Sequence, residues 1–258
     1  MRRAAAARAE AQSFDRVAAD YDRLGELEPN RRVDRWLTGL LTAGGGRALD
    51  LGCGTGRHAV LLAERFDHVD AIDLSGPMIE LAKRRRARPN ISYRQADLHD
   101  VHADGRYDLV LSALTLHHVP DLHAALRQVK SLLAPGGRMI VVDVYQSDPA
   151  LAPWRTLRRA VHRAVPLRPR LHGLAVRTFG THLVRRGPAT AREVYRLSTR
   201  RAWLDHRVTD RFFSRADLER SCEALFPGYR LEILGGPRGI GLLWDAPRLA
   251  AAGADEAS

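Results

Sequence analysis

Three glycines at alternate positions follow a short apolar run in the first quarter of the chain. Residues 48–51 (Ala-Leu-Asp-Leu) lead into residues 52–56 (Gly-Cys-Gly-Thr-Gly). Glycine permits positive φ, so the backbone can turn tightly and approach a ligand closely at the carboxyl end of a strand. A dinucleotide-binding turn spaces its glycines as G-x-G-x-x-G, with a pyrophosphate at the following helix N-terminus. The spacing here differs, and the turn therefore predicts a ligand other than a dinucleotide.

An acid stands at the end of the next apolar run. Asp73 closes residues 68–73, which the pattern predicts to be a strand. In doubly wound folds a carboxylate at this point accepts hydrogen bonds from ribose hydroxyls. The alternative is that Asp73 caps the helix that opens at Pro77, although Ser75 could supply that cap instead.

The glycine spacing, with an acid two residues before the first glycine, resembles motif I of the class I S-adenosylmethionine-dependent methyltransferases. The resemblance implies S-adenosylmethionine as cofactor and S-adenosylhomocysteine as product. It places the turn under the methionine and ribose of the cofactor, Asp73 at the ribose and Asp97 at the adenine amino group, where capping is the alternative role of Asp97. The expected cofactor-binding residues are Tyr21, Asp50, Gly52, Cys53, Gly54, Gly56, Asp73, Leu74, Met78, Asp97, Leu98 and Ser112.

Two adjacent histidines follow the predicted fourth strand. Small-molecule members of the same family often carry Leu-His-His at this point, as in Leu116-His117-His118 here. Either histidine could be a general base that removes a proton from the nucleophile. The alternative is a structural imidazole that shapes the cofactor pocket. Methyl transfer is an in-line displacement on an activated sulfonium, so alignment can supply most of the acceleration and no base is obligatory.

The expected acceptor contacts come from both ends of the chain. Residues 14–22 resemble the N-terminal segment of the family in which a tyrosine folds over the cofactor, and Tyr21 is that tyrosine. Residues 203–213 mix polar and aromatic groups before the last predicted helix. We expect Tyr21, His117, His206, Asp210 and Arg211 to contact the substrate. A salt-bridged surface stretch is the alternative for residues 203–213.

Short apolar runs alternate with amphipathic stretches between residues 47 and 143, which predicts an α/β fold. The resemblance implies a Rossmann-like, mostly parallel seven-stranded sheet with helices on both faces, an antiparallel terminal hairpin, and a helical insertion between strands five and six. Predicted strands are 47–51, 68–73, 91–96, 108–112, 137–143, 229–234 and 240–244. Predicted helices include 57–66, 77–86, 122–133, 154–165, 171–185, 189–203 and one from a cap at Ser214 to Phe226.

Five segments are expected along the chain. They are an N-terminal helical cap (1–46), a cofactor-binding core (47–144), a helical insertion or lid that shapes the acceptor site (145–213), a final helix and hairpin (214–248), and a flexible tail (249–258). The insertion is inferred because about 85 residues separate the fifth and sixth predicted strands, far more than a crossover needs.

Composition limits the partners. No apolar stretch approaches the roughly 18 to 20 residues that span a bilayer, so no integral membrane association is expected, and the two cysteines suggest a cytoplasmic protein. The histidines and acids form no recognisable ligand set, so no metal is predicted. The net charge of +11 is almost entirely arginine, since Lys83 and Lys130 are the only lysines.

We therefore expect a monomeric or homodimeric enzyme that methylates a small or medium-sized organic acceptor, such as a secondary-metabolite intermediate. An RNA or tRNA methyltransferase that uses the arginine-rich insertion is an alternative, as is methylation of a lipidic quinone or prenyl acceptor. Nucleic acid is not favoured, because the chain carries neither the Asn/Asp-Pro-Pro-aromatic motif of base amino-group methyltransferases nor a cysteine after a proline.

Overall fold

Seven strands form one sheet in the computed structural model, which describes residues 2–41, 45–101, 107–145, 167–208, 212–234 and 239–248. The sheet order is β3-β2-β1-β4-β5-β7-β6. Strands β1 to β5 pair in parallel, while β7 lies antiparallel to both β5 and β6. The predicted mostly parallel sheet with an antiparallel terminal hairpin is confirmed. The strands are β1 (Arg47–Leu51), β2 (His68–Asp73), β3 (Ile91–Gln95), β4 (Tyr107–Ala113), β5 (Leu133–Val144), β6 (Arg230–Ile233) and β7 (Gly239–Asp245).

The sheet order reverses at its first strand. β1 pairs with β2 on one side and with β4 on the other. The connections that leave β1 and β4 therefore diverge to opposite sides of the sheet, which opens a crevice at their carboxyl ends. The glycine-rich turn lies at this reversal.

Ten helices lie in the described residues, and none is long and apolar enough to cross a membrane. Four of them, α7 to α10, lie between β5 and β6, and the first three fall in the segment predicted as the insertion. The predicted helix 154–165 lies outside the described residues. The helices are α1 (Arg2–Asp15), α2 (Ala18–Leu27), α3 (Arg31–Leu40), α4 (Arg57–Ala63), α5 (Gly76–Arg86), α6 (Leu122–Leu132), α7 (Leu167–Arg186), α8 (Pro188–Ser198), α9 (Arg201–Val208) and α10 (Arg215–Leu225).

Several predicted boundaries differ from the structure, and two of them were wrong for a clear physical reason. The helix expected over residues 189–203 is divided into α8 and α9, because the Ser198 and Thr199 hydroxyls donate to the carbonyls of Val194 and Tyr195 and end the first helix. Residues 134–137 (Ala-Pro-Gly-Gly), expected to separate helix from strand, lie inside β5. There the pairing with β4 shifts register between Tyr107 and Leu109.

The core is divided by the sheet into two layers, since alternate residues of a strand face opposite sides. On one side Val110 and Met139 pack against α6 and α10, with Phe226 fully buried. On the other side Leu109 and Leu111 pack against α3 and α4. Both faces of the central strands are buried, which explains why β1 and β4 appear in the sequence as nearly continuous apolar runs.

Side-chain caps fix where the helices begin. The Ser75 hydroxyl accepts from the N–H of Met78, so Ser75, and not Asp73, caps α5. The predicted cap at Ser214 forms a full capping box with Asp217 at the start of α10. With Ser75 as the cap, the Asp73 carboxylate is left to face the crevice.

Candidate active site

The glycine-rich turn needs its glycines for more than one reason. Gly52, Gly54 and Gly56 have φ of 74°, 53° and 84°. A Cβ on Gly52 would lie 2.2 Å from the Thr115 hydroxyl, whereas one on Gly54 would meet nothing nearer than the Tyr21 ring at 3.8 Å. Gly54 therefore faces open space under Tyr21, and Gly52 allows the turn to pack against the segment after β4.

Gly56, unlike Gly52 and Gly54, lies away from the crevice. A Cβ here would lie 2.5 Å from the Tyr93 hydroxyl, so Gly56 allows β3 and α4 to pack closely. It does not line the crevice. Cys53 is buried, and its pKa lies well above the usual thiol value because of burial and the nearby carboxylate of Asp50.

Asp50 lies beneath the turn as a buried carboxyl. Its side chain is 1% exposed, and no hydrogen bond of normal geometry reaches either oxygen from the described residues. Burial, followed by the charge of Asp73, raises the pKa of Asp50 to about 7, and the nearby Ala59 N–H offsets this only in part. The site therefore contains a buried acid that is not compensated by hydrogen bonds.

Asp73 connects the end of β2 to the turn. One carboxylate oxygen accepts from Gly54 N at 2.8 Å and the other from Ser75 N at 2.9 Å. Burial raises the pKa of Asp73, and these two N–H groups oppose the shift. Asp97 accepts from His99 N at 2.9 Å, so it caps the short 3₁₀ helix Leu98–Asp100 and faces the crevice as well.

A cleft of about 1020 Å³, including space open to solvent, joins these groups at the carboxyl ends of β1, β2 and β4. Its walls include Glu10 and Phe14 of α1, which the sequence analysis did not identify as site residues. Of the predicted site residues, Tyr21, Gly52, Gly54, Asp73, Leu74, Met78, Asp97, Leu98 and His118 line the cleft. Asp50, Cys53, Gly56, Ser112, His117 and His206 do not.

Tyr21 closes the cleft and is held by its neighbour Asp22. Burial, followed by the charge of Asp73, raises the pKa of Tyr21 to about 12. Asp22 is 3% exposed and accepts hydrogen bonds from Thr55 in the turn and from Arg85 and Arg86 of α5. Burial alone would raise the pKa of Asp22, but the bonds from Thr55 and Arg86 lower it. We call Asp22, Thr55, Arg85 and Arg86 the Asp22 cluster.

The two histidines after β4 lie in different surroundings. His117 is buried, its Nδ1 is 2.6 Å from Asp143 Oδ1, and its ring stacks on Phe212. Asp143 also accepts from the N–H groups of Leu116 and His117, so it fixes this segment. His118 instead lines the cleft, and its Nδ1 lies 2.9 Å from Glu10 Oε1. His118 is thus the histidine placed to meet a ligand.

His206 lies behind the wall of the cleft. It is 4% exposed, its Nδ1 is 3.0 Å from the Ser13 hydroxyl, and its ring contacts Phe14 edge-on at 4.4 Å between centroids. The predicted substrate contacts Asp210 and Arg211 lie outside the described residues. Ser112 is buried on β4, and its hydroxyl has no partner among the described residues.

A second cavity begins on the other side of Tyr21. It lies between α2, α3 and the start of α4, and Trp203 of α9 and Val142 of β5 line it as well. Cys53, predicted as a cofactor contact, lines this cavity and not the cleft. Within the described residues, no group of three or more His, Cys, Asp or Glu could hold a metal ion.

Known proteins are similar to this chain in sequence and in fold. Residues 48–137 match the family model for a methyltransferase domain. An uncharacterised methyltransferase of Mycobacterium tuberculosis (strain ATCC 25618 / H37Rv) is 34% identical over 114 residues, which are 44% of this chain and 58% of that protein. The demethylmenaquinone methyltransferase of Lactiplantibacillus plantarum is 29% identical over 150 residues, 54% of this chain and 63% of that protein.

The likeness in fold extends over almost the whole chain. The N-methyltransferase NodS from Bradyrhizobium japonicum WM9, solved with S-adenosyl-l-homocysteine, covers 93% of this chain and 99% of its own, with a TM-score of 0.58 and 18% sequence identity. Residues 48–137 are therefore similar to a methyltransferase domain, and the chain shares the fold of this S-adenosyl-l-homocysteine-bound methyltransferase.

Two residues of this site could have been found from the sequence. Asp143 lies one residue before the end of β5, and Asp50, Asp73 and Asp97 likewise lie at or near the ends of β1, β2 and β3, so the same rule of acids at strand ends points to Asp143. Glu10 precedes Phe14 by one helical turn, and both lie on the face of α1 that meets the cleft. Nothing in the sequence indicated that His118, and not His117, would face the cleft.

Proposed function

We propose that the cleft binds S-adenosylmethionine and that the protein transfers its methyl group to a small or medium-sized organic acceptor. The observation that carries the proposal is the convergence of Asp73, Asp97 and the turn at Gly52 and Gly54 on one cleft, above the buried carboxyl of Asp50. The family match of residues 48–137 supports it. The matched segments span 58% to 63% of the curated relatives compared above, so the activity is inferred from the site.

The residues present fit this cofactor. Each Asp73 oxygen accepts one backbone N–H and keeps lone pairs for ribose hydroxyls. Leu74, Met78 and Leu98 give an apolar surface for the adenine beside Asp97. The positive charge of a cationic ligand bound over the turn would compensate the negative charge of the buried Asp50 carboxylate, which has no hydrogen-bond partner among the described residues. When bound, the cofactor supplies a methyl group already activated by a positive sulfur.

The protein contributes mainly by positioning. Methyl transfer requires the nucleophile, the methyl carbon and the sulfur to lie in line, and Tyr21, which lines both the cleft and the second cavity, lies where they would meet. His118 is the candidate base, because its ring lines the cleft. His117 instead acts as a support, since Asp143 holds its ring away from the cleft. Helices α7 to α9 would serve as the lid over the acceptor.

Cofactor binding is the direct test. S-adenosylhomocysteine should bind in calorimetry, and Asp73→Asn should weaken it by about 10- to 100-fold, since a hydrogen bond to a charged group contributes about 1.5 to 3 kcal/mol. Asp70→Asn, on the same strand but bonded to Arg47 outside the cleft, is the matched control and should leave the affinity unchanged. An unchanged affinity in Asp73→Asn would overturn the proposal.

A labelled-methyl screen over small-molecule, quinone and RNA pools then tests the acceptor class. The quinone pool is included because the Lactiplantibacillus relative is named a demethylmenaquinone methyltransferase. The RNA pool is included because residues 150–215 are rich in arginine. Methylation that depends on RNA and is lost at high salt would replace the small-molecule proposal.

A further inference from the structure

We infer that the second cavity is the acceptor site and that it takes an uncharged, planar aromatic acceptor whose hydroxyl faces His58. The inference rests on the proposed function, because it assigns the acceptor side of the same reaction. Four features of the cavity carry it: its junction with the cleft, its balanced charges, its aromatic wall and one unpartnered imidazole.

The two cavities meet at a narrow set of residues. Gly52 and Gly54 of the turn, Tyr21 above it, and Ala113 and Leu114 after β4 line both spaces. In-line transfer needs the acceptor to approach from the side opposite the cofactor sulfur, and a second cavity that shares this wall meets that requirement. The junction is therefore where a methyl group would pass.

Leu114 marks the same point by its backbone. Its φ is +58°, which makes it the non-glycine residue with positive φ in the described part of the chain, and its side chain remains 43% exposed. Its N–H bonds to the Val142 carbonyl at 2.7 Å, which holds the conformation. Residues in this region of φ cost free energy and cluster at functional sites.

The charged side chains around the second cavity are paired within the protein. Arg57 bonds to Asp34 and to the Gly25 carbonyl, and Glu28 lies 2.6 Å from His182. The Asp22 cluster includes Arg86, and Glu26 pairs with Arg85 and Arg23. A charged acceptor would have to enter without an opposite charge free to meet it, which is costly away from water.

The wall near the junction is aromatic and aliphatic. The rings of Tyr21 and Trp203 lie 6.3 Å apart between centroids at an angle of 43°. Leu24, Val33 and Val142 extend this surface. A flat, apolar ring system finds favourable burial and aromatic contacts on such a wall.

His58 is the polar group left for the acceptor. It lies in the first turn of α4, lines the second cavity and makes no hydrogen bond with the residues that the structure describes. Burial, followed by the charge of Arg57, lowers the pKa of His58 to about 4. The imidazole is therefore neutral at physiological pH and offers a nitrogen lone pair to a hydroxyl.

The reaction balances with these groups alone. The acceptor oxygen forms a bond to the methyl carbon while the carbon–sulfur bond breaks, and that electron pair stays on sulfur and neutralises it. His58 accepts a hydrogen bond from the acceptor hydroxyl, and the hydroxyl proton is released to water as the bond between the oxygen and the methyl carbon forms. The products are a methyl ether, S-adenosylhomocysteine and one proton.

Three naphthalene probes test the inference on the protein saturated with S-adenosylhomocysteine. We expect calorimetry to show 2-naphthol binding at least tenfold more tightly than 2-naphthoate or 2-naphthylmethylammonium, which share its ring system but carry a charge. Trp203→Leu and His58→Gln should each weaken 2-naphthol about tenfold and change S-adenosylhomocysteine affinity less than twofold. His68→Gln is the matched control, because His68 is a half-buried histidine that lines neither cavity.

The outcomes separate this inference from the proposed function. Equal or tighter binding of a charged probe would overturn it. So would a loss of S-adenosylhomocysteine affinity in His58→Gln as large as the loss for 2-naphthol, because the cavity would then hold the cofactor. Failure of S-adenosylhomocysteine to bind the unmodified protein would instead refute the proposed function. Methylation of 2-naphthol that is reduced in both variants, and not in His68→Gln, would support the inference.

Discussion

Replacing Asp50 by asparagine should make the protein more stable at alkaline pH. The carboxyl is 1% exposed, lacks a hydrogen-bond partner among the described residues, and has its pKa raised to about 7 by burial and the charge of Asp73. The folded state therefore binds more protons than the unfolded state between about pH 4 and pH 7, and stability falls as pH rises through that window.

The size of the effect follows from the shift. A rise from 3.8 to about 7 corresponds to a penalty of about 4 kcal/mol at pH 8 and about 2 kcal/mol at pH 5, at about 1.4 kcal/mol per pKa unit. Asparagine avoids the charge but leaves a buried amide without partners, which costs about 1 to 3 kcal/mol at every pH. The advantage of Asp50→Asn should therefore grow by about 2 to 3 kcal/mol from pH 5 to pH 8.

Urea unfolding of both proteins at pH 5 and pH 8, without cofactor, measures this difference directly. Asp100→Asn, a change of the same kind at an exposed carboxylate, is the control and should show no such growth. The same variant should lose more affinity for S-adenosylmethionine than for S-adenosylhomocysteine, since only the former carries a positive sulfur. A difference in stability that stays constant with pH would refute the argument that Asp50 is a buried, uncompensated charge.

Three further substitutions test the elements around the site. Asp22→Asn removes the charge shared by Thr55, Arg85 and Arg86 and should lower the free energy of unfolding by about 3 kcal/mol in urea titrations; a loss below about 1 kcal/mol would contradict the burial of this group. Asp143→Asn should lower the melting temperature and methyl transfer together, because it loosens the segment that carries both histidines; unchanged turnover would contradict this. Ser214→Ala should cost about 1 kcal/mol in urea through the lost cap and leave cofactor affinity unchanged, and a change in affinity would contradict a purely local role.

The central strands could be predicted because burial on both faces leaves a direct trace in the sequence. β1 and β2 have the predicted bounds, and the acids at their ends follow from the geometry of parallel sheets. The start of β5 could not be predicted in this way. Residues 134–137 have the composition of a helix stop and a turn, yet pairing with β4 and β7 extends the strand through them.

Contacts distant in sequence explain what was missed at the site. Glu10 meets His118 across more than a hundred residues, and the Ser13 hydroxyl reaches His206 from the opposite end of the chain. Periodicity describes each helix alone and does not tell which helices pack over the cleft. For the same reason the sequence could not decide between His117 and His118, since the choice depends on Asp143 accepting from one ring.

The Asp22 cluster has a consequence for how ligands come and go. Movement of α2 away from the turn would break the hydrogen bonds that the Asp22 carboxylate accepts from Thr55, Arg85 and Arg86. Each bond to a charged group contributes about 1.5 to 3 kcal/mol. The next helix towards the N-terminus has lighter attachments near the cleft, among them Ser75 to Asp15 and Ser13 to His206. Release of S-adenosylhomocysteine should therefore require movement of α1. Helix α2 should stay in place, and Tyr21 with it, through successive turnovers.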